Sequence, residues 1–228
     1  MQRLIVTLDG PAGSGKSTVA RLLADRLGVE FLDTGAMYRG ITAKALDRGI
    51  NPVDEGYAVV ELARHCTIRF DFSQSPPRLL INDHDMTDRL RDHDVTEHVS
   101  DVSALAGVRQ VLVESQRAIG EAHPRLVTEG RDQGSVVFPH ADVKFYLDAR
   151  AAVRAQRRAE QIRATGRHAD VEAIRNAITA RDHKDSTRAD GPLICPDDAQ
   201  RIDTSDMTQD DVVDLLERRV REAVEATA

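Results

Sequence analysis

Residues 8–18 read LDGPAGSGKST. Gly10, Gly15, Lys16 and Ser17 complete the spacing GxxxxGK[ST], in which glycines let the backbone turn its N–H groups toward phosphate oxygens. The candidate phosphate cradle is therefore Gly10, Pro11, Ala12, Gly13, Ser14, Gly15, Lys16, Ser17 and Thr18. Lys16 is placed to reach the outer phosphates of a nucleotide, and the Ser17 hydroxyl to ligate Mg²⁺. A helix starting at the loop adds the positive end of its dipole.

Working outward, RLIVTL (3–8) is a short apolar run stopped by Asp9-Gly10-Pro11, as expected of a buried parallel strand. Ser17 to Leu27 carries Val19, Leu22, Leu23, Arg26 and Leu27 at helical spacing, with Gly28 as its stop. VEFL (29–32) predicts a second strand, and Gly35 to Leu46 a helix ending near Gly49. CTIRFDF (66–72) alternates, putting Ile68, Phe70 and Phe72 on one face; with Ser75-Pro76-Pro77 and RLLI (78–81) it predicts an antiparallel hairpin. The stretch 83–101, with seven acids, reads as short solvated helices and loops. RLVT (125–128), VKFYL (143–147) and RID (201–203) are further strands, and Ala151–Thr165 and Val171 to about Arg188 are helices. Thr208 to Asp211 forms a capping box for a last helix with Val212, Leu216, Val220 and Val224 inside. Alternating strands and helices predict an α/β fold: a parallel sheet flanked by helices, interrupted by a small antiparallel insertion.

Composition narrows the function. The 228 residues carry 41% hydrophobic and 30% charged side chains, with no apolar run near the ~20 residues that span a bilayer. The N-terminus enters a strand without a secretory leader pattern, which predicts a cytoplasmic protein. Cys66 and Cys195 lack CxxC spacing, and the eight histidines form no metal-ligand pattern. A net charge of −7 argues against nucleic acid as a partner. Residues 150–188 nevertheless hold ten basic against five acidic residues, a local attraction for a small polyanion. There is no NKxD guanine-reading run and no LSGGQ-like signature, which leaves the small kinases; these need an acceptor site and an arginine lid.

The runs DGPAGSGKST (9–18), LDTGAMYR (32–39), EGRDQGSVVFP (129–139) and RDHKDSTR (181–188) together resemble the bacterial cytidylate kinases, in order and spacing. The resemblance implies a P-loop core, transfer of the γ-phosphoryl group of ATP to CMP or dCMP with Mg²⁺, and a monomer. It implies catalytic roles for Lys16, Arg131, Arg158, Arg181 and Arg188, and a lid that brings Arg154, Arg157 and Arg158 to ATP. It places CMP against Thr34, Tyr38, Arg39, Ser100, Arg109, Arg131, Asp132, Arg181, Asp185 and Arg188, with Asp132 facing the cytosine amino group. The implied subdivision is a core (1–34, 106–149 and 189–228), a monophosphate-binding region (35–105, with its hairpin at about 66–82) and a lid with its following helix (150–188).

The residues themselves support several arginines around the transferred charge. Arg150, Arg154, Arg157 and Arg158 fall largely on one helix face by their spacing. Glu129 follows a buried strand, where a carboxylate either attends Mg²⁺, often through water, or hydrogen-bonds the loop. No general base is required, because a monophosphate acceptor is already ionised. Gln133 stands where an apolar residue is usual in the resembling family, and Ser135 where threonine is common. Another nucleoside monophosphate or small-metabolite kinase of the same fold, and a slowly hydrolysing nucleotide-binding regulator, are the competing readings.

Overall fold

The computed structural model describes residues 3–226. In chain order its elements are β1 (Leu4–Asp9), α1 (Lys16–Leu27), β2 (Glu30–Asp33), α2 (Thr34–Asp47), α3 (Gly56–Arg64), β3 (Ile68–Asp71), β4 (Arg78–Ile81) and β5 (His84–Asp85). There follow α4 (His93–Val102), α5 (Ala106–Ala122), β6 (Arg125–Glu129), β7 (Val143–Asp148), α6 (Ala151–Ala164), α7 (Val171–Thr187), β8 (Gln200–Asp203) and α8 (Gln209–Ala226). Two units are compact in themselves: residues up to Val29 together with those from Arg125 onward, and Glu30–Pro124.

In the first unit β6, β1, β7 and β8 lie side by side, all parallel, with Thr7 opposite Thr128 and Leu8 opposite Phe145. Ile5, Val6, Leu8, Leu126, Val127, Phe145 and Leu147 are fully buried, as strands covered on both faces require. α1 and α8 pack together, burying Val19 and Leu23 on one and Val212, Leu216 and Val220 on the other. Arg26 ties the same pair from outside, through Asp214 and Glu217. The predicted capping box is present: Thr208 Oγ1 accepts from the Asp211 N–H at 3.2 Å and Asp211 Oδ2 accepts from the Thr208 N–H at 3.0 Å. Val224 departs from expectation. It sits in the last turn of α8 and is 36% exposed, past the stretch that Val212, Leu216 and Val220 hold inward.

The second unit carries the antiparallel sheet β3-β4-β5. β3 is shorter than the alternating pattern predicts, because Asp71 Oδ1 accepts from the Ser73 N–H and closes a local turn around Phe72. Phe70 and Phe72 still stack, their ring centroids 5.9 Å apart. Asn82 and Asp83, both at positive φ, make the two-residue turn between β4 and β5. The acid-rich stretch becomes a 3₁₀ turn (Thr87–Arg91) and α4, with Arg89 bound by Asp47, Asp92 and Asp94. α3 and α5 were not expected. They approach closely at Gly107, where a Cβ would fall 2.6 Å from Val60 Cγ1. Among the described residues no helix is long and apolar enough to cross a membrane.

Candidate active site

The phosphate loop is built by the end of β1 and the start of α1. Gly10 has φ 147° and lies so near β7 that a Cβ would stand 2.0 Å from the Leu147 carbonyl oxygen, so no other residue fits there. Gly15, at φ 88°, turns the chain into α1. Lys16, only 4% exposed, folds back to donate to the Pro11 carbonyl at 2.9 Å. Burial, with the nearby Arg131 charge, pulls its pKa down to about 7 against the opposing effects of Glu129 and Asp9. Ser17 Oγ donates to Glu129 Oε1 at 2.8 Å, so the hydroxyl and carboxylate named from the sequence stand together at the loop's end.

Asp185 gathers the arginines of two separate motifs. Its carboxylate accepts from Arg131 Nε at 2.9 Å and lies 3.9 Å from Arg181 Nε and 3.8 Å from Arg188 Nη1. Arg188 also stands 3.9 Å from Asp132 Oδ1 and donates from Nε to the Gly191 carbonyl at 2.6 Å. Burial opposes the Arg131 charge, but Asp185 and Glu129 more than offset it and raise its pKa. Asp132 and Asp185 are 4% and 3% exposed, so three guanidiniums face two desolvated carboxylates, with a cation in excess. Such a cluster draws an anion whose negative charge is growing.

Two residues outside the expected set brace the backbone of the site, one at the turn beside this cluster and one at the phosphate loop. Asp9, at the end of β1, accepts from the Gln133 N–H at 2.8 Å and the Gly134 N–H at 2.7 Å. It thereby fixes the turn that follows Arg131 and Asp132, a single π-helical turn over Gln133–Val137. Burial lifts the Asp9 pKa to about 7 even though both amide bonds favour the charged form. Gln133 is 1% exposed, and its side-chain oxygen accepts from Thr128 Oγ1 at 2.9 Å, so its polar end is satisfied within the unit's interior. Asp182 is the second unforeseen residue; its carboxylate accepts from the Ala12 N–H at 2.9 Å. The sequence signal for Asp9 is a carboxylate closing an apolar strand, and for Asp182 its place within RDHKDSTR.

Arg150, just before α6, and Arg154, Arg157 and Arg158 on it do not act alike. Arg150 pairs with Asp206 at the surface, Arg157 donates to the Thr204 carbonyl at 2.6 Å, and Arg158 is exposed with Nη1 3.2 Å from Gln161 Oε1. Arg154 is 7% exposed and donates to the Ala149 and Ala12 carbonyls, each at 2.8 Å.

In the second unit, Thr34, Tyr38 and Arg39 lie on the first turns of α2, whose N-cap Asp33 accepts from the Ala36 N–H. Arg109 on α5 is 3% exposed and donates to Tyr38 Oη at 3.3 Å. Arg39 turns toward Thr96 Oγ1 on α4, 3.1 Å away, and Ser100 follows one turn later on that helix.

The family model described as cytidylate kinase matches residues 6–222. A cytidylate kinase of Corynebacterium efficiens is 45% identical over 213 residues, covering 93% of this chain and 92% of that protein. One of Mycobacterium avium is 42% identical over 222 residues, covering 97% of each. Among solved structures, a gluconokinase from Sinorhizobium meliloti aligns with a TM-score of 0.50 and 15% identity over 99% of this chain and 97% of that one, a likeness of fold alone. With the loop, the arginine cluster and a match running almost the whole length, the chain belongs to the cytidylate kinase family.

Proposed function

We propose that this chain is a nucleoside monophosphate kinase that transfers the γ-phosphoryl group of ATP to CMP or dCMP, giving ADP and CDP or dCDP. The observation that carries the reading is the Asp185 cluster: Arg131, Arg181 and Arg188 are held on one buried carboxylate, in the electrostatic field that also reaches Lys16. The transferred group passes through a transition state with charge spread over its oxygens, so fixed cations that need no reorganisation lower the barrier. The loop Gly10–Thr18 binds the donor phosphates, and Lys16 turns from the Pro11 carbonyl to the phosphates. Arg154, Arg157 and Arg158 belong to the lid, which together with its following helix takes up residues 150–188. The CMP phosphate attacks as an existing oxyanion, which is why the site needs no base.

Acceptor recognition falls to Thr34, Tyr38, Arg39, Ser100 and Arg109 together with Arg131, Asp132, Arg181, Asp185 and Arg188. Cytosine presents an amino donor where uracil presents a carbonyl, and Asp132 is the carboxylate that accepts from it. Ser17 Oγ and Glu129 are hard oxygen donors and fit Mg²⁺. No group of three or more His, Cys, Asp and Glu able to hold a metal occurs among the described residues, so phosphate oxygens and water would complete the shell. When bound, Mg²⁺ supplies neutralisation of phosphate charge. The cytoplasm is the compartment we propose, supported by two cysteines that are both free thiols.

An acceptor panel with ATP tests the reading. ADP release should require a monophosphate and run fastest with CMP or dCMP. Steady ADP release without an acceptor would favour the nucleotide-hydrolysing regulator, and preference for a hydroxylated metabolite would favour the other kinase reading.

A further inference from the structure

Ala12, at the crest of the phosphate loop, is gripped at both of its backbone groups. Its N–H donates to Asp182 Oδ1 at 2.9 Å, and its carbonyl accepts from Arg154 Nη1 at 2.8 Å. The two gripping side chains are themselves paired, Arg154 Nη1 lying 2.5 Å from Asp182 Oδ2. The Ala12 side chain is buried with Ala155 of α6 and Ile178 of α7, with Val171 and Ile174 packed around them. At Gly13, with φ +76°, a Cβ would stand 3.3 Å from Arg154 Cβ and 3.4 Å from Ile178 Cδ1. The outer side of the loop is therefore locked to two helices.

We propose that Asp182 is a positioning residue for the phosphoryl donor, acting through the Ala12 N–H and Arg154 to hold the phosphate loop in its binding shape before ATP arrives. A loop containing Gly10, Gly13 and Gly15 has much backbone freedom, and ordering it during binding would subtract from affinity. The clasp fixes the crest from outside and commits none of the N–H groups from Gly13 to Thr18. Arg154 has a second task in this arrangement. A bare carboxylate beside a triphosphate site would repel the ligand, and its guanidinium partner cancels that charge. The acceptor cluster touches Asp185 and Asp132 instead, so the two neighbouring carboxylates of the RDHKDSTR run have separate duties.

The inference rests on ATP being the nucleotide that this loop binds. The test is steady-state kinetics of the full chain with Asp182→Ala and Asp182→Asn, varying ATP at saturating CMP and CMP at saturating ATP, together with equilibrium binding of a fluorescent ATP analogue without CMP. For Asp182→Ala, KM for ATP and the analogue's Kd should rise roughly ten-fold, a change of about 1.4 kcal/mol, while KM for CMP stays within about two-fold. Asp182→Asn keeps an oxygen for the Ala12 N–H and should recover part of the loss. Equal rises in both KM values, a rise confined to CMP, no change, or loss of the folded state even in Asp182→Asn would each overturn the proposal. Failure of the wild-type chain to phosphorylate CMP would instead fall on the proposed activity, because analogue binding reads the loop without turnover.

Discussion

Lys16 and Asp9 are buried groups of opposite charge, and each has its pKa pushed to about 7 mainly by loss of water. Lys16→Ala removes the mobile cation of the donor site and should lower kcat by about 10²–10³-fold or more while thermal unfolding stays near that of the wild type. A folded variant with unchanged turnover would remove Lys16 from the mechanism. For Asp9 the sign follows from proton binding. Between pH about 4 and about 7 the folded protein holds a proton that the unfolded chain has released, so this group's contribution to stability falls as pH rises through that window. Asp9→Asn cannot titrate, and urea unfolding at pH 5 and pH 7.5 should show a smaller decline in the variant than in the wild type. An equal decline in both would mean that Asp9 is ionised throughout. At Asp132, uracil would oppose a carbonyl to the carboxylate in a dry site, at a cost of about 1–3 kcal/mol. Asp132→Asn can donate to that carbonyl, so the CMP/UMP ratio of kcat/KM should fall roughly ten-fold or more. A constant ratio, with both activities reduced, would show that Asp132 serves the turn beyond it.

Among the elements, α1 was legible from its glycine stop and α8 from its cap, whereas α3 and α5 were not expected. α8 begins with the Thr208–Asp211 reciprocal cap, and Thr208→Ala should cost about 1 kcal/mol in chemical denaturation, with kcat unchanged. No loss of stability would mean that the cap is redundant with the packing of α1 on α8. α3 and α5 start at Gly56 and Ala106 with no side-chain cap and no acidic residue in the first turn, so nothing announces their starts. In α5 the buried positions include Arg109 and Gln116, which break the apolar period that reveals a helix. The acid-rich run 83–101 is legible as short helices, but the ordering role of Arg89 among Asp47, Asp92 and Asp94 depends on residues far apart in the chain. α6 was legible as a basic helix, whereas its arginines diverge in their partners because Arg154 has the loop beside it and Arg157 has Thr204. Amide exchange in residues 150–167 should slow when ATP and CMP analogues are added together, as a closing lid requires. Unchanged exchange would leave α6 as a fixed wall of the loop.

For the whole molecule the relevant quantity is where charge is placed, since a chain of net charge −7 must still bind two anionic nucleotides, a triphosphate and a monophosphate. Cations concentrated around Asp185 and at Lys16 make that possible locally, with desolvation strengthening their effect on a bound anion. The four spaced motifs carried this arrangement in the sequence. The carboxylates that brace the site, Asp9 under the 133–137 turn and Asp182 against the loop crest, had only their places in the sequence as signals, one closing an apolar strand and one within RDHKDSTR, and their backbone partners show only in the folded chain. A ligand that binds only the folded state adds RT ln(1 + [L]/Kd) to stability, about 2.7 kcal/mol at a hundred-fold excess over Kd. In a chain of this length that corresponds to a rise of roughly 5–11 °C in Tm. CMP at such an excess should therefore raise Tm by several degrees, UMP at the same concentration should raise it less, and Asp132→Asn should narrow the gap between them. Because the shift measures binding alone, it separates recognition of the base from any change in chemistry. Equal shifts with CMP and UMP in the wild type would mean that the acceptor base is not read by Asp132 in the ground state, and that any preference arises only as the phosphoryl group moves.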